Sequence, residues 1–520
     1  MVGCCNELNS GYAADGYARS SPLGVAVIVV TFMVGGLSAL NAIAGACSER
    51  LKVIIVSGCP SEASFGQDRL IHHSLGIKDR DQPLRIFREV TTASVRLNIK
   101  EDPVEQLDAT ISQCLRDSLP VYIEIPSDLA TLPCRAPGPL LIQDPGLPLR
   151  LSGKEKVTPA LEVFIDSWKA AQKPVLIIGC LARRVVSPDM LLAFVEKLGC
   201  AVFCLPDGKS LVPETHPQFA GTFWCSASTS TCEQAVLESD LWVILGGRWS
   251  DLHTFGKIDL ERESHRIVDI QDGVITTPGG RAIRDIPLDK LVSALVASDI
   301  PRNETTQWSG RCLPDLVDGD DVLNKNAPLS VPGILYGIQN ILKPNDTLIA
   351  EAGDSWFNAQ RIRLPQGADF QIQIMYGSIG WSLPATLGCQ LARPDGRAVL
   401  MIGDGSFQMT AQELSTMIRM RSNSIIFIFN NLGYQIEVSR DFPPLRPPMP
   451  LCVWLIHTFF FRPQSTMVLI TTSTTGTMPP LPVLCALQTT PSTSRILFYA
   501  ARHTSVHICS LSRSRPPKTC

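Results

Sequence analysis

The stretch RAVLMIGDGSFQMTAQELSTMIRMRSNSIIFIFNNLGYQIE, residues 397–437, decides the fold. One apolar β-rich run, AVLMI, stops at Gly403-Asp404-Gly405-Ser406, and a second, IIFIF, stops at Asn430-Asn431. Between them Thr410 and Glu413 stand at capping-box spacing ahead of a helix whose Leu414, Met417 and Ile418 share a face. A strand, a helical crossover and a second strand predict parallel neighbours, so both polar clusters lie at carboxyl ends, the edge where open α/β sheets bind ligands. There Asp404 and the Asn431 amide oxygen suit a hard cation such as Mg²⁺, and the small Gly405 lets backbone N–H groups approach phosphate oxygens. Either cluster alone reads as a common turn. Separated by one βα unit, they converge on one site.

Working outward, the same alternation fills the chain: VAVIVV at 25–30, VIIVSG at 53–58, VYIEI at 121–125, VLIIG at 175–179, LWVILGG at 241–247 and TLIAEAG at 347–353. The pattern predicts an α/β protein built of doubly wound parallel sheets. At roughly 100 to 200 residues per domain the 520 residues make about three domains. Pro- and Gly-rich stretches at Pro133–Pro148 and around Asn303–Pro332 divide them into 1–150, 151–310 and 325–441. The middle region carries no nucleotide fingerprint, which predicts a structural role.

Composition excludes other classes. The 46 basic and 49 acidic side chains nearly cancel at a net charge of -3, which disfavours nucleic acid and anionic membranes as partners. Seventeen cysteines are scattered without a Cys-x-x-Cys pair, and no signal peptide follows Met1, so reduced thiols in the cytoplasm are expected. Gly24–Cys47 runs without a charge and is long enough to cross a bilayer. Its β-branched first half, helix-forming second half and Gly35-Gly36 punctuation predict a buried strand followed by a buried helix instead. From Phe442 to Cys520 there is no Asp or Glu and a single glycine, Gly476. Such a segment, 442–520, is expected to be an aberrant, poorly folded tail, sequence not selected to fold, with a lineage-specific terminus as the alternative.

The spacing of Asp404-Gly405 and Asn430-Asn431 resembles the thiamine-diphosphate motif, and further blocks resemble pyruvate decarboxylases: NELNSGYAADGYAR at 6–19, TFMVGGLSALNAIAGACSE at 31–49, RLIHHSLG at 69–76, AEAGDSWFNAQR at 350–361 and YGSIGWSLPATLG at 376–388. The resemblance runs from about Glu7 to Val438. It implies three thiamine-enzyme domains, pyrimidine-binding, central and diphosphate-binding. Asp404, Asn431 and the Gly433 carbonyl match the Mg²⁺ ligands, and Gly405 and Ser406 the diphosphate contacts. Glu7 matches the acid on the pyrimidine ring, which favours the tautomer that can deprotonate thiazolium C2. Ile379 matches the apolar wedge that bends the coenzyme, and the Gly377 carbonyl matches the partner of its amino group. His72 and His73 match the proton-managing pair, and Glu437 the acid near the substrate carboxylate. Asp354, Ser355 and Ile436 fall in segments that line the coenzyme.

The implied reaction is non-oxidative decarboxylation of a 2-oxo acid, pyruvate to acetaldehyde and CO₂, with bulkier acids such as indolepyruvate as the alternative substrate. An inactive fragment that associates with full-length subunits is the reading from another class. The resemblance also implies a homodimer or homotetramer, because the two halves of each site come from different subunits. The family starts with a further strand and an Asp-Phe loop that have no counterpart before Glu7, and Ala352 stands where a threonine is usual. The expectation is therefore a first domain lacking its N-terminal portion.

Overall fold

The computed structural model describes residues 1–65, 70–76, 79–134, 154–183, 185–304, 312–313 and 330–431, together with strands between 452 and 511. Much of the two stretches expected to divide the domains lies outside the described residues. Three sheets form. The first has four parallel strands, β1 (Val25–Val30), β2 (Lys52–Cys59), β3 (Ala93–Arg96) and β4 (Val121–Pro126), in the order β1-β2-β4-β3. The second carries β5 (Pro174–Ile178), β6 (Ala201–Cys204), β7 (Phe219–Thr222), β8 (Leu241–Leu245), β9 (Ile267–Gln271), β10 (Gly273–Thr277) and β11 (Arg281–Ile286), in the order β11-β10-β9-β8-β5-β6-β7. Its last two strands join antiparallel. The third begins with β12 (Thr347–Ala350), β13 (Asp369–Gln371), β14 (Ala398–Gly403) and β15 (Ile425–Asn430), all parallel in the order β13-β12-β14-β15.

Helices cover both faces of the second and third sheets, as the near-continuous apolar strands require. In β5, Leu176 and Ile178 enter one core while Val175 and Ile177 enter another. In β14, Val399 and Met401 face one side, and Ala398, Leu400 and Ile402 the other. The α/β class with parallel-dominated sheets in three domains is thus as expected. Gly24–Cys47 is indeed a strand followed by a helix, Val34–Ser48, and among the described residues no helix is long and apolar enough to cross a membrane.

Two expectations need correction. β1 is not wholly buried: Ala26, Ile28 and Val30 point inward, but Val27 and Val29 are 59% and 61% exposed. Among the described residues the strand pairs on one side only, with β2, and its Val27/Val29 face is uncovered. The capping box at Thr410 and Glu413 also fails. Two short helices, Asp404–Thr410 and Glu413–Arg419, meet here, and Gln412 caps the second without a side-chain bond. Thr410 instead donates to the Gly380 carbonyl at 2.7 Å, and buried Glu413 accepts from Cys5 N at 3.1 Å and Asn9 Nδ2 at 2.8 Å. Long-range partners outcompete the local cap. Beyond β15, five antiparallel strands extend the third sheet, β16 (Cys452–Phe461), β17 (Gln464–Thr472), β18 (Ala486–Thr489), β19 (Ser494–Arg502) and β20 (Ser505–Leu511).

The first and third domains meet through helix Glu7–Ser20 and helix Ser382–Ala392, which approach closely because glycines face backbone. A Cβ on Gly388 would lie 2.0 Å from the Ala13 carbonyl oxygen and 2.6 Å from Tyr17 N. Gly388→Ala is therefore expected to push the helices apart and cost roughly 3 kcal/mol, read as a lower urea midpoint.

Candidate active site

Register brings the two polar clusters together. β14 and β15 pair in parallel with Gly403 opposite Phe429, so Asp404 and Asn430 leave adjacent strand tips and Asn431 follows by one residue. Neighbouring strands stand about 4.8 Å apart. Asp404 and Asn431 are both half-buried, and Ser406 is buried in the turn of helix that Asp404 opens. A carboxylate and an amide oxygen carried just past neighbouring strand tips are hard donors of the type that Mg²⁺ prefers. Gly433, Ile436 and Glu437 lie outside the described residues.

The loop 376–380 is fastened to this corner. Gly377 and Gly380 have φ of 62° and 88°, values that side chains other than glycine rarely adopt, and they flank Ile379. A Cβ on Gly380 would stand 2.6 Å from that of Met409, so the loop rides directly on helix Asp404–Thr410. Ile379, the residue before Gly380, is left 39% exposed. Ser378 ties the loop to the first domain: its Oγ lies 2.5 Å from Tyr12 Oη, and Asn41 Nδ2 donates to both, at 2.9 Å to Tyr12 and 3.2 Å to Ser378. Tyr376 Oη donates to Asn41 Oδ1 at 2.8 Å.

Glu7 opens helix Glu7–Ser20 behind the cap Asn6, whose side chain accepts from Asn9 N. Its carboxylate lies against the end of β1, where a Cβ on Gly35 would come within 3.1 Å of Glu7 Oε1 and 3.2 Å of the Thr31 side chain. This too is the carboxyl end of a parallel strand. Asp354 and Ser355 begin helix Asp354–Gln360 at the end of β12, Asp354 exposed and Ser355 buried. His72 and His73 sit on an exposed loop with ring centroids 4.6 Å apart.

Sequence reasoning missed Glu351. It is fully buried and accepts from Ala352 N at 2.8 Å, Ser382 N at 3.1 Å and Ser382 Oγ at 2.7 Å. Burial pushes its carboxyl above the ordinary carboxylate range, although these donors oppose the shift. Its place just beyond TLIA, at a strand end, was the available signal.

Comparison with known proteins fits this geometry. The thiamine pyrophosphate enzyme N-terminal TPP binding domain matches residues 1–81, the central domain 161–275 and the C-terminal TPP binding domain 337–439. Pyruvate decarboxylase 2 of Oryza sativa subsp. japonica is 41% identical over 442 residues, 84% of this chain and 72% of the relative. Pyruvate decarboxylase 1 of Zea mays is 41% identical over 445 residues, 84% and 71% of the two chains. This chain belongs to the pyruvate decarboxylase family. Pyruvate decarboxylase 4 of Arabidopsis thaliana, 41% identical over 441 residues, covers 84% of this chain and is covered to 72%. Members of the pyruvate decarboxylase family are thiamine-diphosphate-dependent 2-oxo acid decarboxylases, a class of lyases, which makes thiamine diphosphate the coenzyme and a small 2-oxo acid the substrate.

Proposed function

We propose that the chain decarboxylates pyruvate to acetaldehyde and CO₂, with Mg²⁺ joining thiamine diphosphate to the protein. What supports this reading is the parallel register of β14 and β15, which sets Asp404 and Asn431 just past adjacent strand tips, with Gly380 packed on the helix that Asp404 opens. When bound, the coenzyme supplies a nucleophilic carbon and an electron sink for the loss of CO₂. Asp404, Asn431 and the Gly433 carbonyl would hold the ion, and Gly405 and Ser406 would receive the diphosphate. Ile379 would pack against the bound coenzyme, and the Gly377 carbonyl would offer it an acceptor. Asp354, Ser355 and Ile436 line its path.

Glu7 holds a proton at the pyrimidine nitrogen, a task suited to a half-buried carboxyl at the start of a rigid helix. His72 and His73 would supply and take up protons for the substrate, and Glu437 would serve near its carboxylate. The working unit is a cytoplasmic homodimer or homotetramer, since the family resemblance divides each site between subunits.

Two measurements test the reading. Thiamine diphosphate binding should depend on Mg²⁺, and the loaded enzyme should turn over pyruvate with kcat/KM about tenfold or more above that for indolepyruvate, because one or two kcal/mol of pocket fit separates substrates of different size. Equal or reversed preference would move the substrate to the bulkier acids. Metal-independent binding would remove Mg²⁺ from the account.

A further inference from the structure

Gly380 is gripped from both sides of its backbone. Its carbonyl accepts from Thr410 Oγ1 at 2.7 Å, and its N–H donates to the Glu351 carboxylate. The same carboxylate takes Ser382 N, Ser382 Oγ and Ala352 N, while Glu351 N donates to Met401 O at 2.9 Å, two residues before Gly403. Glu351 thus joins the strand that delivers Asp404, the loop that carries Ile379 and the first residue of helix Ser382–Ala392. Among the described residues it forms no salt bridge.

A buried carboxylate without a basic partner is costly, and packing alone gives no reason for one at this point. Four donors converging on two oxygens give the reason, since only a carboxylate offers about four lone-pair positions and no opposing hydrogen. An amide of the same shape would turn an NH₂ group toward N–H donors. Thr410 completes the grip from helix Asp404–Thr410, so the Gly380 peptide is referenced to the two elements that frame the diphosphate corner.

We propose that Glu351, acting with Thr410 through the Gly380 peptide, is a positioning residue that fixes the height and direction of Ile379 against the coenzyme. The grip on Gly380 stands by itself, whereas its purpose rests on the place proposed above for Ile379.

The test uses the full chain as Glu351→Gln and, separately, Thr410→Val. In coenzyme-free protein, amide hydrogen exchange across 377–381 should speed up by about tenfold in both variants while 347–350 and 398–403 keep the parent rate. Thiamine diphosphate affinity with Mg²⁺ should fall about fivefold or more, while inorganic pyrophosphate, which reaches only the Asp404 corner, should bind as it does to the parent. Unchanged exchange at 377–381, faster exchange throughout the third domain, or equal losses for the two ligands would overturn the proposal. Should Glu351→Gln fail to fold, Thr410→Val decides by the same readouts. A parent chain that does not bind thiamine diphosphate would sink the coenzyme reading, and exchange alone would then decide the grip.

Discussion

Asp404→Asn is expected to weaken Mg²⁺-dependent thiamine diphosphate binding roughly a hundredfold, because removing one charged partner from a partly buried ionic site costs about 3 kcal/mol. A competing account assigns Asp404 only to helix stability, since it opens helix Asp404–Thr410 behind Gly403. That role is worth about 0.3 to 1 kcal/mol, at most a fivefold effect, and it has no reason to depend on the metal. The two accounts separate in a titration of coenzyme at several Mg²⁺ concentrations. If Asp404 is a ligand, the variant loses the metal dependence together with the affinity. A variant that binds within fivefold of the parent, with the metal dependence intact, would leave Asp404 a local helix residue and take the ion elsewhere. Asn431→Ala should show a smaller loss of the same kind, since a neutral amide oxygen is the weaker donor.

The central strands were legible because AVLMI and IIFIF bury both faces and so appear as unbroken apolar runs. The strands ASVR, DFQ and RAIRDI were not, since each is short or polar and becomes a strand by pairing with a neighbour: Ala93 with Val121, Asp369 with Thr347 and Arg281 with Thr277. Those partners lie in other segments or across a turn, and local pattern does not report them. VAVIVV shows the converse. Its letters fit a buried strand, yet Val27 and Val29 are exposed, because whether a strand's second face is covered depends on which elements pack over the sheet, not on its own letters.

The site divides along the same line. Asp404 and Asn431 could be paired from spacing alone, since a βα unit between two apolar runs dictates parallel neighbours and adjacent tips. Glu351, Thr410 and Glu413 could not. Glu351 meets Ser382 31 residues away, Thr410 meets Gly380 30 away, and Glu413 meets Asn9 404 away. Thr410 and Glu413 even carry a false local signal, a capping-box spacing, which tertiary partners override. Polar residues that tie elements together are the part of a site that periodicity does not encode, because their meaning lies in the donor they meet.

Glu7→Gln should lower the decarboxylation rate of the loaded enzyme about a thousandfold while changing coenzyme affinity by less than tenfold. Glutamine fills the same space beside Gly35 and Thr31, so the neighbours Glu7 touches need not move. Its amide can still donate to a ring nitrogen, which preserves most of the binding contribution of a single hydrogen bond, about 1 kcal/mol. What it lacks is an exchangeable acid proton, and positioned acid–base groups contribute roughly 10² to 10⁴ in rate. The prediction therefore rests on a split between kcat and affinity, which distinguishes proton work from packing. A purely structural role at the start of helix Glu7–Ser20 would instead lower thermal stability and spare the rate of whatever enzyme remained folded. An unchanged rate in an active Glu7→Gln preparation would remove this carboxyl from the chemistry.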